Sequence, residues 1–163
     1  MILHAGLIAR RSGDAWRGVL IEGPSGSGKS DLALKALAAN WILVADDRTL
    51  IWRDAGRLWG RAPDALDGLL EARGVGVVAT RRLPFAEIAL AIRCVEGAAI
   101  ERVPEPQART ALGITLPLVA LAPFEDSAVA KLERALAVLD SLGNRRIKRP
   151  APPGGSPEAG GVA

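Results

Sequence analysis

The chain has 163 residues, 49% apolar and 24% charged, with mean hydropathy +0.19, which suits one domain with a real core and excludes disorder throughout. A single cysteine, Cys94, excludes a disulfide framework and, with one histidine, a Cys/His zinc site, so a reducing, cytoplasmic setting is expected. The formal charge is +3, but residues 1–144 hold 17 basic and 17 acidic groups and the excess lies in Arg145-Arg146-Ile147-Lys148-Arg149, so no nucleic-acid groove is expected in the folded part.

No apolar run approaches the length of a bilayer span, so no membrane insertion is expected. Arg10 and Arg11 follow the first apolar residues instead of preceding them, which argues against a signal peptide.

Taken in chain order, residues 2–9 read as a strand and Ser12-Gly13-Asp14 as the turn of a hairpin. Residues 16–22 read as its second arm, running into a Gly-rich segment at 23–28. A helix over 30–39 follows from Leu32, Ala33, Ala36 and Leu37 at helical spacing. Residues 42–45 form a buried strand ending at Asp46 and Asp47, and 50–53 with 57–60 a hairpin turning at Asp54-Ala55-Gly56.

A short helical turn is expected at 64–70, with Pro63 at an early position. Strands are expected at 75–80, 87–95 and 114–120. An amphipathic helix is expected over 127–142, with Gly143 and Asn144 as stop signals. The fold class is therefore α/β, a P-loop-containing mixed β-sheet with flanking helices in a domain over 1–144. Residues 145–163 read as a basic, Pro/Gly-rich disordered tail.

Gly23-Pro24-Ser25-Gly26-Ser27-Gly28-Lys29-Ser30 is a full match to the phosphate-binding P-loop, with an apolar strand entering and a helix leaving. The glycines let backbone N–H groups turn inward on phosphate oxygens, and the helix places its positive end at the same spot. Lys29 can reach the terminal phosphates, and the Ser30 hydroxyl is a natural Mg²⁺ ligand. The chain has 17 Arg and only four Lys, so a Lys at the one place the motif demands it is informative.

Asp46 and Asp47 end a strand one helix after the loop, so loop and carboxylates can share one edge of the sheet. One carboxylate can face Mg²⁺ or its water while the other takes a proton from an incoming hydroxyl. Glu71 and Arg73, two apart before Gly74 and Gly76, form a further candidate. His4, taken alone, reads first as a structural histidine.

Together these segments resemble one family, HPr kinase/phosphorylase, in its C-terminal catalytic domain. The resemblance rests on His4, on GPSGSGKSD at 23–31, LVADD at 43–47, GRAPD at 60–64 and LLEARGVGV at 69–77. It is strong over residues 2–80, moderate to about residue 120, and absent in the tail. It implies a sheet similar to that of phosphoenolpyruvate carboxykinase, and a hexamer. It implies an ATP- and Mg²⁺-dependent protein-serine kinase acting on an HPr-like phosphocarrier of the phosphotransferase system, with a phosphorylase reaction in reverse.

Residue by residue, the resemblance gives the transferring phosphate to Lys29 and the loop amides and Mg²⁺ to Ser30, Glu71 and Asp46. Asp47 becomes the general base, and His4 and Arg102 active-site residues. The chain looks like a short form without the family's N-terminal regulatory domain. It departs from the family at Arg81-Arg82-Leu83-Pro84-Phe85 and at Ala122-Pro123-Phe124-Glu125-Asp126. Two alternatives remain, a non-catalytic nucleotide-sensing module and a small-molecule P-loop kinase. The set Asp46, Asp47, Glu71 and His4 argues against the first, the short interval from loop to Asp-Asp and the missing lid arginines against the second.

Overall fold

Alternating apolar residues and two-residue turns make the first half of the chain a series of hairpins. A computed structural model of the protein describes residues 1–147. Its strands are β1 (Ile2–Leu3), β2 (Ala5–Ser12), β3 (Ala15–Glu22), β4 (Ile42–Ala45), β5 (Thr49–Asp54), β6 (Arg57–Arg61), β7 (Leu69–Ala72), β8 (Gly76–Ala79), β9 (Ala86–Cys94), β10 (Gln107–Ala111) and β11 (Ile114–Leu121). The α-helices are α1 (Lys29–Ala38) and α2 (Ala128–Ile147), with short 3₁₀ turns at Asp64–Leu66 and Gly97–Ala99.

Nine strands form one mixed sheet in the order β1-β5-β6-β9-β3-β2-β4, and the β10–β11 hairpin joins it through β9. Strand β9 is the hub. It runs parallel to β3 along most of its length, while its other edge pairs first with β6 at Ala86 and Glu87 and then, parallel, with β11 at 91–94. The sheet curls around one apolar cluster built from Leu7, Leu20, Val44, Ile51, Leu58, Ile88 and Leu116. Its outer face carries Ile8, Val19, Ile21, Leu43, Leu90 and Ile92 against Leu32 and Ala36 of α1 and Leu132 and Leu136 of α2. Each fully buried Leu or Ile contributes about 1.5–3 kcal/mol, so both faces are needed to offset the ordering of so many short strands.

The pairing directions decide where a site can form. Strand β2 is antiparallel to both β3 and β4, so β3 and β4 run the same way, as do β9 and β11. The C-terminal ends of these four strands share one edge with the start of β2. That edge holds residues 23–28, Asp46 and Asp47, the loop after Cys94, residues 122–126, and His4.

Several expectations change. The first strand breaks at His4, so that β1 pairs with β5 while β2 pairs with β3 and β4. The expected helical turn over 64–70 is a single 3₁₀ turn at Asp64–Leu66, with Pro63 in extended conformation before it. Gly68 turns the chain at φ 75, and residues 69–72 become β7, paired with β8 in a separate two-stranded sheet. Helix α2 does not stop at Gly143 and Asn144 but runs through Ile147; a helical glycine costs only about 1 kcal/mol relative to alanine, which the buried row Ala128, Leu132 and Leu136 outweighs. The expected tail from residue 148 onward lies outside the described residues.

Candidate active site

The loop after β3 folds as its glycines allow. Gly28, the residue before α1, has φ 98, and a Cβ there would stand 2.8 Å from Cβ of Pro123 and 3.0 Å from Cζ of Phe124. No other residue fits that conformation and that gap. The Lys29 side chain is buried, 7% exposed, and its ammonium donates to the carbonyl oxygens of Gly23 at 2.9 Å and Pro24 at 3.1 Å. It is thereby fixed over the loop with a third N–H to offer.

Asp46 and Asp47 face different tasks although they are neighbours. Asp46 is buried, 8% exposed, and accepts the Ser30 hydroxyl on Oδ1 at 2.8 Å and the backbone N–H of Glu71 on Oδ2 at 3.0 Å. One carboxylate thus ties the start of α1 to β7. Asp47 has φ 61, and the N–H of Arg48 donates across it to the carbonyl of Asp46 at 2.6 Å. Such a three-residue turn with positive φ is uncommon and strained, and it throws the Asp47 carboxylate outward. Half exposed, that carboxylate meets His4, with Nε2 2.5 Å from Oδ1. An ionised carboxylate only accepts, so this contact assigns the imidazole proton to Nε2.

These groups border one cleft of about 210 Å³, whose walls include Ser25, Lys29, Ser30, Asp47, Glu71, Arg73 and Phe124. The structure therefore brings the loop, Ser30, Asp47 and Glu71 together, sets Asp46 behind them, and adds His4 through Asp47. Arg102 is not brought to the cleft. It stands exposed in the segment between β9 and β10, which begins and ends on the site edge of the sheet.

Among the described residues, no three His, Cys, Asp or Glu side chains cluster as a metal site. The oxygens near Ser30, those of its hydroxyl, Asp46 and Glu71, are hard donors. They suit Mg²⁺, which takes one or two protein oxygens and fills its octahedron with water and phosphate. The loop fits a phosphate chain by the close packing at Gly28 and the fixed Lys29.

Two features of the site edge lie outside the sequence reading. Glu22, the last residue of β3, receives a two-pronged ion pair from Arg109 of β10, with Nε at 2.9 Å and Nη2 at 2.8 Å. This raises the Arg109 guanidinium pKa, chiefly through the hydrogen bonds to Glu22. Phe124 packs beside the loop at Gly28 and is 66% exposed. An apolar strand ending in Pro-Phe opposite a P-loop was a signal for Phe124; nothing local marks Glu22, whose partner is 87 residues away.

Comparisons with known proteins point to one family. Residues 15–91 match the model of the HPr Serine kinase C-terminal domain, a span that contains the loop, Asp46, Asp47 and Glu71. The HPr kinase/phosphorylase of Streptococcus thermophilus is 50% identical over 62 residues, and that of Mycoplasma genitalium 43% over 65. These matches span 37% and 40% of the chain but only about a fifth of the relatives' length, 20% and 21%. In fold, the Hpr(Ser) kinase/phosphatase structure from Coxiella burnetii superposes with a TM-score of 0.72 at 19% identity, over 91% of this chain and 99% of that one. The resemblance to the HPr kinase/phosphorylase family is thus borne out in sequence and in fold, and the curled mixed α/β sheet is that of the Coxiella structure.

Proposed function

We propose that the chain is an ATP- and Mg²⁺-dependent protein-serine kinase whose acceptor is an HPr-like phosphocarrier. The observation that carries this reading is the placement of Lys29 and Ser30 across one cleft from Asp47, with Asp46 joining Ser30 to Glu71. Phosphoryl transfer asks a protein mainly for positioning, charge compensation and a base, and each has a residue here.

In this reading the amides of residues 25–30 and the Lys29 ammonium hold the phosphate chain. Ser30, Glu71 and, from behind, Asp46 hold Mg²⁺, which when bound offsets charge on the terminal phosphates. The acceptor serine oxygen forms a bond to the γ-phosphorus as the bond from that phosphorus to the bridging oxygen breaks, and ADP leaves. Asp47 takes the serine proton on Oδ2, since His4 occupies Oδ1 and fixes the carboxylate's orientation. The reverse reaction, with inorganic phosphate attacking the phosphoserine, would use Asp47 as the acid that returns the proton. Arg102 is assigned to the acceptor side, where its exposed segment borders the edge.

The names of the relatives, HPr kinase/phosphorylase, support the choice of acceptor. No helix among the described residues is long and apolar enough to cross a membrane.

The test is incubation of the chain with Mg-ATP and the HPr-like phosphocarrier, followed by phosphosite mapping. A single phosphoserine on the acceptor, absent with the Lys29→Ala variant, is the expected result. ATP binding with no transfer to any phosphocarrier would defeat the kinase reading in favour of a nucleotide sensor. Added phosphate should then release the serine phosphate as pyrophosphate if the reverse direction operates.

A further inference from the structure

A second cleft opens on the other side of the phosphate loop. It is larger, about 600 Å³, and lies between loop residues 24–27 and a wall made by Val95, Glu96, Gly97, Phe124 and Glu125. Nothing in the transfer chemistry uses it. We infer that this cleft takes the nucleoside of the nucleotide held by the loop, with the base against the Phe124 ring and the ribose hydroxyls toward Glu96. The inference rests on the phosphate-loop reading above and names where the rest of that ligand goes.

Direction is the first argument. A triphosphate is a linear chain, and its terminal phosphorus must face Asp47, which is delivered by β4 on the β2 side of β3. The opposite end must then leave on the far side of the loop, toward the ends of β9 and β11. The second cleft lies there and shares residues 24–27 with the loop.

Chemistry is the second. Glu96 and Glu125 border the cleft, and Glu125 is held by the Lys131 ammonium at 2.6 Å. Lys131 compensates the charge of Glu125, and the Glu96 carboxylate disfavours further phosphate and accepts hydrogen bonds, so the wall suits an uncharged group rich in donors, as ribose and an amino-substituted base are. Phe124 supplies the flat surface. An aromatic ring with two-thirds of its area in water is an unused stacking platform, and any base has a face to place on it. Its position is fixed: the carbonyl of Pro123 accepts from Lys35 Nζ of α1 at 2.9 Å, and the ring edge rests beside Gly28. The platform is thus braced by α1 and by the loop.

Two probes separate this inference from its premise. Affinities of Mg-ATP and of Mg-tripolyphosphate, which has the phosphates and no nucleoside, are measured by titration calorimetry on the full chain. Phe124→Ala removes the platform from a largely exposed position and opens no core cavity. Gly97→Leu fills the cleft from the wall opposite the loop, where a Cβ meets the flexible Glu125 carboxylate at 3.1 Å and Cβ of Ala122 at an ordinary 3.9 Å. Gly97→Leu, whose residue lies outside the phosphate cleft, is expected to bind ATP about tenfold more weakly and tripolyphosphate as well as the unaltered chain does. Phe124→Ala, whose ring also borders the phosphate cleft, is expected to lose about tenfold more for ATP than for tripolyphosphate, in line with the loss of one base–aromatic stack. ATP affinity unchanged in both variants overturns the inference, and so does an equal loss for the two probes, which would mean that the changes act through the loop. An unaltered chain that binds neither probe, or a Lys29→Ala variant that binds both as before, defeats the phosphate-loop reading itself.

Discussion

The Ser30 hydroxyl donates its proton to Oδ1 of Asp46 at 2.8 Å, so its lone pairs are left facing away from that carboxylate. The hydroxyl of a P-loop serine serves a cation through those lone pairs, and Asp46 therefore sets the direction in which Ser30 can act. Asp46→Asn should reverse this. The amide oxygen can still accept the Glu71 N–H, while the amide nitrogen donates to Ser30 and turns the hydroxyl hydrogen toward the cation's position. Unfolding free energy should change by less than about 1 kcal/mol, while Mg²⁺-dependent transfer falls at least about a hundredfold. Asp46→Ala, which removes the partner of two part-buried donors, should lose about 1–3 kcal/mol of stability as well. Denaturant unfolding and transfer assays on the two variants separate direction-setting from simple support.

Asp47 and His4 form the second pair to probe. Asp47→Asn keeps size and the hydrogen bond to His4 but removes the base, and should lower turnover by about 10²–10⁴-fold with ATP affinity within about twofold of the unaltered chain. His4→Ala keeps the base and frees its orientation, and should cost less, about tenfold, mainly in kcat. Turnover close to the unaltered value in Asp47→Asn would remove the base from the proposed mechanism.

Much of this site was legible because it is local. The P-loop is eight consecutive residues, Asp46 and Asp47 are the end of one apolar strand, and the buried strand at 42–45 was readable from its composition alone. Periodicity failed where a turn lacked its usual chemistry. Hairpin β10–β11 turns at Leu112-Gly113, with φ 48 and 73, a geometry that normally calls for Asn-Gly or Asp-Gly; with leucine there, β10 carried no turn signal. Likewise, nothing in residues 64–70 announces that Glu71 is held as strand by a buried carboxylate 25 positions earlier. The division of labour between Asp46 and Asp47 depends on the positive φ of Asp47, which tertiary contacts hold in place against local preference.

The Glu22–Arg109 ion pair should matter to both stability and site order. It is two-pronged, both side chains are mostly covered, and it links the residue before the phosphate loop to a hairpin at the sheet's far branch. Arg109→Lys keeps the charge and loses the fork, and should cost about 1 kcal/mol; Arg109→Ala leaves Glu22 unpaired and should cost about 1–3 kcal/mol. Hydrogen exchange should accelerate in residues 107–118 and around Gly23 in Arg109→Ala. Acceleration confined to the hairpin would show that the pair does not brace the loop.

Cys94 gives a pH signature for the packing beneath the loop. Its thiol is buried under Gly23, whose Cβ position lies 3.0 Å from Cβ of Cys94, and burial pushes its pKa from 9.0 up to about 11 although the Lys29 ammonium and the Ser27 hydroxyl pull it down. The sign follows from which state holds the proton more tightly. Below pH 9 the thiol is protonated folded and unfolded alike, and its contribution to stability is complete. Between pH 9 and 11 the unfolded chain releases the proton first, so stability falls as pH rises through that window. Cys94→Ala should lack this component, so unfolding curves of the two proteins should draw together from pH 9 to pH 11, after subtraction of the titrations they share. At pH 8 the native thiol should also react with a maleimide at least about tenfold more slowly than the thiol of the unfolded chain, because little thiolate forms and the group is covered. Equal rates in the two states would mean that the seat beneath the loop is open to solvent.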